Sequence, residues 1–225
     1  MSNELNWVKD IKNVNTNIKR YAQFGEEAIF DYIFSNIGTT NKYLVDFGAS
    51  SLNLGLSNSK YLLENGWHGL LMDGKSDGNP LIKEEFITAE NICQLFEKYW
   101  TPKDFDLLSI DIDGNDVWVL EAILKGGFRP RVIINEFNGC IPVGVNKTIK
   151  YNPTHSFCDN DYYGGSFESF KVLLKKYNYT LVHQTATTNM IFISSEIVPE
   201  FDYGVTYEQN QYHAHSPNRE WVEYN

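Results

Sequence analysis

Apolar positions along this chain switch between two periods, and the switching predicts its elements. After Tyr21, Ile29, Ile33 and Ile37 recur every four residues with Phe30 and Phe34 beside them, which predicts a helix closed by Gly38. The continuous run from Tyr43 to Phe47 predicts a strand opening into Gly48-Ala49-Ser50-Ser51, with a helix to follow over 57–64. The unit then repeats. Residues 69–72 read as a strand ending at Asp73, 86–89 as a third ending near Glu90 and Asn91, 105–112 as a fourth, and 132–135 as a fifth ending in Glu136. Helices are expected at 92–99 and 117–124, the latter closed by Gly126 and Gly127. A helix over 167–177 and strands at 180–183 and 190–193 complete the pattern.

Strands alternating with helices through short links imply an α/β fold, a parallel sheet wrapped on both faces. On this reading the carboxyl ends of the strands carry Asp46, Asp73, Glu90, Asp111 and Glu136 in turn, a polar cleft along the edge where open α/β sheets bind ligands. One domain over 1–225 is expected, with a lead-in helix within residues 1–20 anchored by Trp7 and Ile11. Residues 139–165 show no element and contain His155, Tyr162 and Tyr163, and they read as a loop covering a substrate. The aromatic, polar tail over 203–225 reads as closing over a neighbouring surface or joining copies of the chain in a homo-oligomer.

Composition narrows the partners. A net charge of -10 argues against nucleic acid or an anionic membrane, whose ligands usually show a basic face. The mildly basic group Lys171, Lys175 and Lys176 sits at helical spacing, as on a solvated surface. No apolar run approaches the roughly 20 residues of a membrane span, and the start lacks the features of a signal peptide, so a cytoplasmic location is expected. Cys93, Cys140 and Cys158 are odd in number and lack metal-type spacing, so reduced thiols are expected.

The densest chemistry lies in 106–116, an apolar strand ending in Asp111, Asp113, Asn115 and Asp116. Carboxylates crowded at a strand end repel one another unless a cation or a proton compensates. With Glu136 and Asn138 facing them, they offer the hard oxygen ligands that Mg²⁺ or Mn²⁺ prefers. Asp116 reads rather as a first-turn helix residue. A nearby carboxylate, Asp113, could take a proton from a substrate hydroxyl, and His155 is a second candidate base. The turn after Asp46 lets backbone N–H groups approach a ligand closely, and Asp73 suits a ribose diol, so the pair suggests an adenosine-containing cofactor. The turn is no GxGxxG, which argues against a nucleotide-sugar dehydrogenase or epimerase.

These segments carry a family resemblance. Tyr21-Ala22-Gln23-Phe24-Gly25-Glu26-Glu27, Val45-Asp46-Phe47-Gly48-Ala49, Leu56-Ser57-Asn58-Ser59, residues 66–71, 87–91, 109–116 and 134–138, and Gly165-Ser166-Phe167, in this order, resemble the FkbM-type S-adenosylmethionine-dependent methyltransferases. The resemblance implies a Rossmann-like class I methyltransferase fold, with a seven-stranded sheet whose last strand is antiparallel. It also implies O-methylation, often of a sugar hydroxyl in a glycan or natural product, with S-adenosylhomocysteine as second product. By motif, Gln23, Gly48, Ala49, Asn58 and Asp73 would surround S-adenosylmethionine, with Glu90 or Asn91 near its adenine or ribose and Asp46, Ser50 and Asp111 bordering it. Asp111, Glu136 and Asn138 would hold the divalent ion and Asp113 would be the base. The chain departs from the family's usual pattern at Ser50-Ser51, and Asn138 stands where some metal-dependent relatives offer a carboxylate; a noncatalytic scaffold of the same fold is the alternative reading.

Overall fold

A computed structural model of the chain describes residues 5–17, 21–49, 51–52, 57–186, 188–207 and 215–225. The strands are β1 (Tyr43–Phe47), β2 (His68–Asp73), β3 (Ile82–Glu84), β4 (Asp104–Ile110), β5 (Arg129–Glu136), β6 (Thr148–Ile149), β7 (Tyr179–Thr185), β8 (Asn189–Ser194) and β9 (Trp221–Val222). The helices are α1 (Asn6–Asp10), α2 (Glu26–Ile37), α3 (Lys60–Glu64), α4 (Ile92–Lys98), α5 (Asp116–Lys125) and α6 (Phe167–Lys176), with a 3-10 turn after α1.

Seven strands form one sheet in the order β3-β2-β1-β4-β5-β8-β7. β1 to β5 run parallel, and β8 lies antiparallel between β5 and β7. This is a Rossmann-like, seven-stranded, mostly parallel sheet with helices on both faces, as the resemblance implied. The reversal follows from chain length, because only three residues separate β7 from β8 and strands joined so closely pair antiparallel.

Period-two alternation in the strands feeds two cores. Val45, Phe47, Met72, Leu108, Ile110 and Ile133 pack under α4, α5 and α6. Leu44, Leu71, Leu107, Val132 and Ile134 pack against Ile29, Phe30 and Ile33 of α2 and against Val8 and Ile11 near the N-terminus. Helices on both faces leave the carboxyl edge of the sheet open, and that edge holds the site.

Two expectations change. Residues 86–89 form no strand; the third strand is Ile82–Glu84, paired parallel to β2. A three-residue strand at the sheet edge buries a single side chain, Ile82, and so leaves no apolar pattern to read. Thr88 and Asn91 instead exchange hydrogen bonds (Thr88 N–H to Asn91 Oδ1, 2.8 Å; Asn91 N–H to Thr88 Oγ1, 3.3 Å) and lead into α4. Second, residues 139–165, expected to hold no element, contain β6, which pairs antiparallel with β9 near the C-terminus. Tyr207 is buried against Phe137 and Phe167. Among the described residues no helix is long and apolar enough to cross a membrane.

Candidate active site

The end of β1 meets the end of β4 so closely that one residue type is dictated. Gly48 has φ +81°, and a Cβ placed on it would stand 1.9 Å from the Asp111 backbone oxygen. Only glycine fits both the dihedral and the contact. The chain therefore turns tightly beside Asp111, opening a cleft of about 480 Å³ over the carboxyl ends of β1, β2 and β4. That volume falls within the roughly 300–1,000 Å³ of small-molecule and cofactor sites. Gly48 and Asp73 line one side, residues 85–87 another, and residues 111–115 the floor; His155, Ser156 and Phe157 of the 139–165 loop also line it.

The floor is a turn held by Asp116, whose Oδ1 accepts from Ile112 N–H (2.9 Å) and Oδ2 from Gly114 N–H (2.8 Å). Both oxygens of this buried carboxylate are spent on the backbone, so Asp116 serves the turn and the first turn of α5, as its position predicts. Asp113, at the apex, has φ +50°, a sparsely populated conformation for a non-glycine residue. It lines the cleft with Asp111. The carboxylates of Asp111, Asp113 and Glu136 offer oxygens all within 4.8 Å of one another.

Such crowding changes their chemistry. Burial, followed by the charges of Asp113 and Asp116, pushes Asp111 up to about 8. Burial and the Asp116 charge push Asp113 up to about 6, and Glu136, hydrogen-bonded to Asp111, is raised well above the ordinary range by burial and by the Asp111 charge. At neutral pH the trio therefore shares protons unless a cation replaces them. Tyr163 stands over the same group, its phenol pushed up by burial and then by the Glu136 charge, and so remains a donor. Asp46 is buried beneath the site and bonds Ser59 and Ser109; burial raises it to about 6 despite those bonds.

His155 rests on Gly114, where an added Cβ would come 2.9 Å from the ring Cδ2. Its ring bonds the Asp113 backbone, its Nε2 is buried without a partner, and burial lowers its pKa, so the neutral ring presents an unused nitrogen beside the base candidate.

Several expected residues sit elsewhere. Asn138 is fully buried and does not join the carboxylates: its Nδ2 donates to the Asp161 and Tyr163 carbonyls (2.8 and 2.9 Å) and its Oδ1 accepts from Cys140 N–H (3.0 Å). It anchors the covering loop, and Asp113 takes its expected place in the trio. Glu90 is exposed and bonds the Tyr151 hydroxyl, and Asn91 is spent on Thr88 and on the Phe86 carbonyl, so neither lines the cleft. With no strand at 86–89, the chain presents Glu85, Phe86 and Ile87 there instead. Gln23 is exposed in the turn before α2, Ala49 packs into the core, and Asn58 donates to Ser109 Oγ at 3.2 Å; none of the three lines the cleft. Ser50 lies outside the described residues. The reading from sequence passed over Phe86 and Phe157, two large apolar side chains left exposed at the cleft. The one available signal was an aromatic in an otherwise polar link.

No family model matches the sequence, and no curated protein matches it. Among solved structures, the CMeT domain of the citrinin polyketide synthase matches with a TM-score of 0.44 and 12% identity over 84% of this chain. The chain spans about 55% of that structure.

Proposed function

We propose that the protein is an S-adenosylmethionine-dependent O-methyltransferase acting in the cytoplasm on a sugar hydroxyl, in a nucleotide-sugar, glycan or polysaccharide precursor. The observation that carries the reading is one cleft joining a turn that admits only glycine at 48 to a carboxylate, Asp73, at the end of the next strand. Gly48 lets backbone approach a ligand closely, and Asp73 offers acceptors to a ribose diol. The resemblance of the surrounding segments to FkbM-type methyltransferases supports the same assignment. The cofactor supplies an electrophilic methyl group; the residues supply alignment and removal of the hydroxyl proton.

Asp113 is the base. Raised to about 6, its carboxyl is mostly ionised at neutral pH yet more basic than an ordinary aspartate. Asp111 and Glu136 share a proton beside it, which limits the repulsion it meets. His155 lines the cleft, and its Nε2, buried without a partner, becomes a second acceptor for the proton once the ring turns toward the substrate. By donor chemistry Asp111, Asp113 and Glu136 also fit a hard divalent ion, Mg²⁺ or Mn²⁺, which would polarise the acceptor hydroxyl.

Calorimetric titration with S-adenosylmethionine and separately with NAD, each with Mg²⁺ and after chelation, tests the reading. Micromolar binding of the former alone is expected, and the search for acceptors then runs through sugars and glycans. Loss of turnover in Asp113→Asn with cofactor binding intact identifies the base. Absence of S-adenosylmethionine binding under every condition refutes the assignment.

A further inference from the structure

We propose that the 215–225 segment positions the cleft-covering loop, with Tyr162, Arg219 and Trp221 acting on the cleft through His155. The proposal draws on the cofactor reading above only for one arm of its test.

Around the cleft the covering loop is thinly held by its own contacts. Residues 156–159 are exposed, and the bonds of 152–155 are local or reach only Asn115 and the Asp113–Gly114 turn. Firm attachment begins one turn later, at Asp161. This carboxylate is 4% exposed, and a buried carboxylate requires compensation. The compensation comes from the 215–225 segment. Arg219 Nε lies 3.0 Å from Asp161 Oδ1, the Ser216 N–H donates to Oδ2, and His215 Nδ1 is 3.8 Å from Oδ2.

From there the contact runs inward through rings that meet edge to face. Trp221, on β9, meets Tyr162 edge-on with centroids 5.0 Å apart, and Tyr162 meets His155 at 5.9 Å. The Tyr162 hydroxyl donates to the Glu220 carbonyl (2.8 Å), and the Arg219 guanidinium lies 5.9 Å from the same ring. Pairing of β9 with β6 fixes the segment from its other side. Tyr162 is thus clamped between the segment and His155, whose ring rests on Gly114 and bonds the Asp113 backbone. Withdrawing Arg219 leaves the buried Asp161 charge without its cation and with the Ser216 N–H as its remaining short hydrogen bond; the carboxylate then moves to water, drawing Tyr162 off His155.

Hydrogen-exchange mass spectrometry tests this on the full chain without ligand. In Arg219→Ala, exchange across 152–164 is expected to quicken by about tenfold or more while β1 and β4 keep their protection. Arg219→Lys should recover most of the protection. Trp221→Leu, which leaves the buried charge paired, should loosen the same residues to a smaller extent. Exchange unchanged in 152–164, or raised alike across the whole sheet, overturns the proposal. Coupling is reciprocal, so S-adenosylmethionine binding to the wild type should slow exchange within 215–225, and Arg219→Ala should bind it about five- to tenfold more weakly. If the wild type binds S-adenosylmethionine with 215–225 unaffected, the positioning role falls. If it binds none, the proposed function falls, and the ligand-free comparison still decides the role of the segment.

Discussion

The β4–β5 pair has a buried carboxylate near its amino end, on β4, and a cluster of carboxylates at its carboxyl end, and the two ends are treated in opposite ways. At the amino end, Asp106 is fully buried but bonded to Arg131 at 2.8 Å and to the N–H groups of Thr40, Asn41 and Lys42. Burial alone would raise its pKa, but these bonds outweigh it and hold the carboxyl below its ordinary value. At the carboxyl end, Asp111, Asp113 and Glu136 have one another for neighbours, and all three are raised. The same strands thus build a satisfied ion pair that stabilises the fold and an uncompensated cluster open to a ligand. Charge left uncompensated at the open edge is the mark of chemistry rather than of stability.

The contrast can be broken most severely at its satisfied end. Arg131→Ala leaves Asp106 buried without its cation and should cost about 3 kcal/mol or more in urea unfolding, while S-adenosylmethionine affinity of the folded protein stays unchanged. The opposite signature is expected at the open end. Gly48→Ala drives a Cβ into the Asp111 carbonyl and should weaken S-adenosylmethionine binding by about a hundredfold or more, read by calorimetry, about 2.7 kcal/mol at that ratio. Asn138→Ala should lower stability by about 1–3 kcal/mol, because it strips two buried carbonyls of their donor. Mg²⁺ titration of that variant should match the wild type, since the residue stands apart from the trio.

The smallest expected effect is the dependence on pH. Asp111 at about 8, Asp113 at about 6 and Asp46 at about 6 titrate above the unfolded value of about 4. The folded state therefore binds more protons between about pH 4 and 8, and stability falls as pH rises through that window. Asp106, held low, acts in reverse and withdraws its contribution only as pH drops below the unfolded value. In chelator, urea unfolding should show greater stability at pH 5 than at pH 8.5, by about 1–2 kcal/mol after allowance for solvent in the cleft. Asp111→Asn should shrink that difference; an unchanged difference would remove the cluster as its source.

Much of this was legible in the residues. The alternation of Leu44 with Val45 and of Leu107 with Leu108 fixes the two faces of the sheet, because a strand's period of two is a local property. Gly48, Asp73, Asp111 and Asp113 could be singled out because a turn glycine and strand-end carboxylates are local signals too, and all four line the cleft. Ile82–Glu84 escaped notice because a short edge strand buries too little to leave a pattern, whereas 86–89 is apolar enough to read as a strand but has Thr88 bonded to Asn91 in the turn before α4. The roles of Asn138 and Glu136 were beyond local reading. They lie two residues apart, yet one is drawn into the covering loop by the Asp161 and Tyr163 carbonyls and the other turned toward Asp111. Sequence determined the elements, the faces and the acidic edge, since these depend on neighbours along the chain. Which carboxylates meet, and what the 215–225 segment holds, depended on contacts between distant residues, and those only the packed tertiary structure decided.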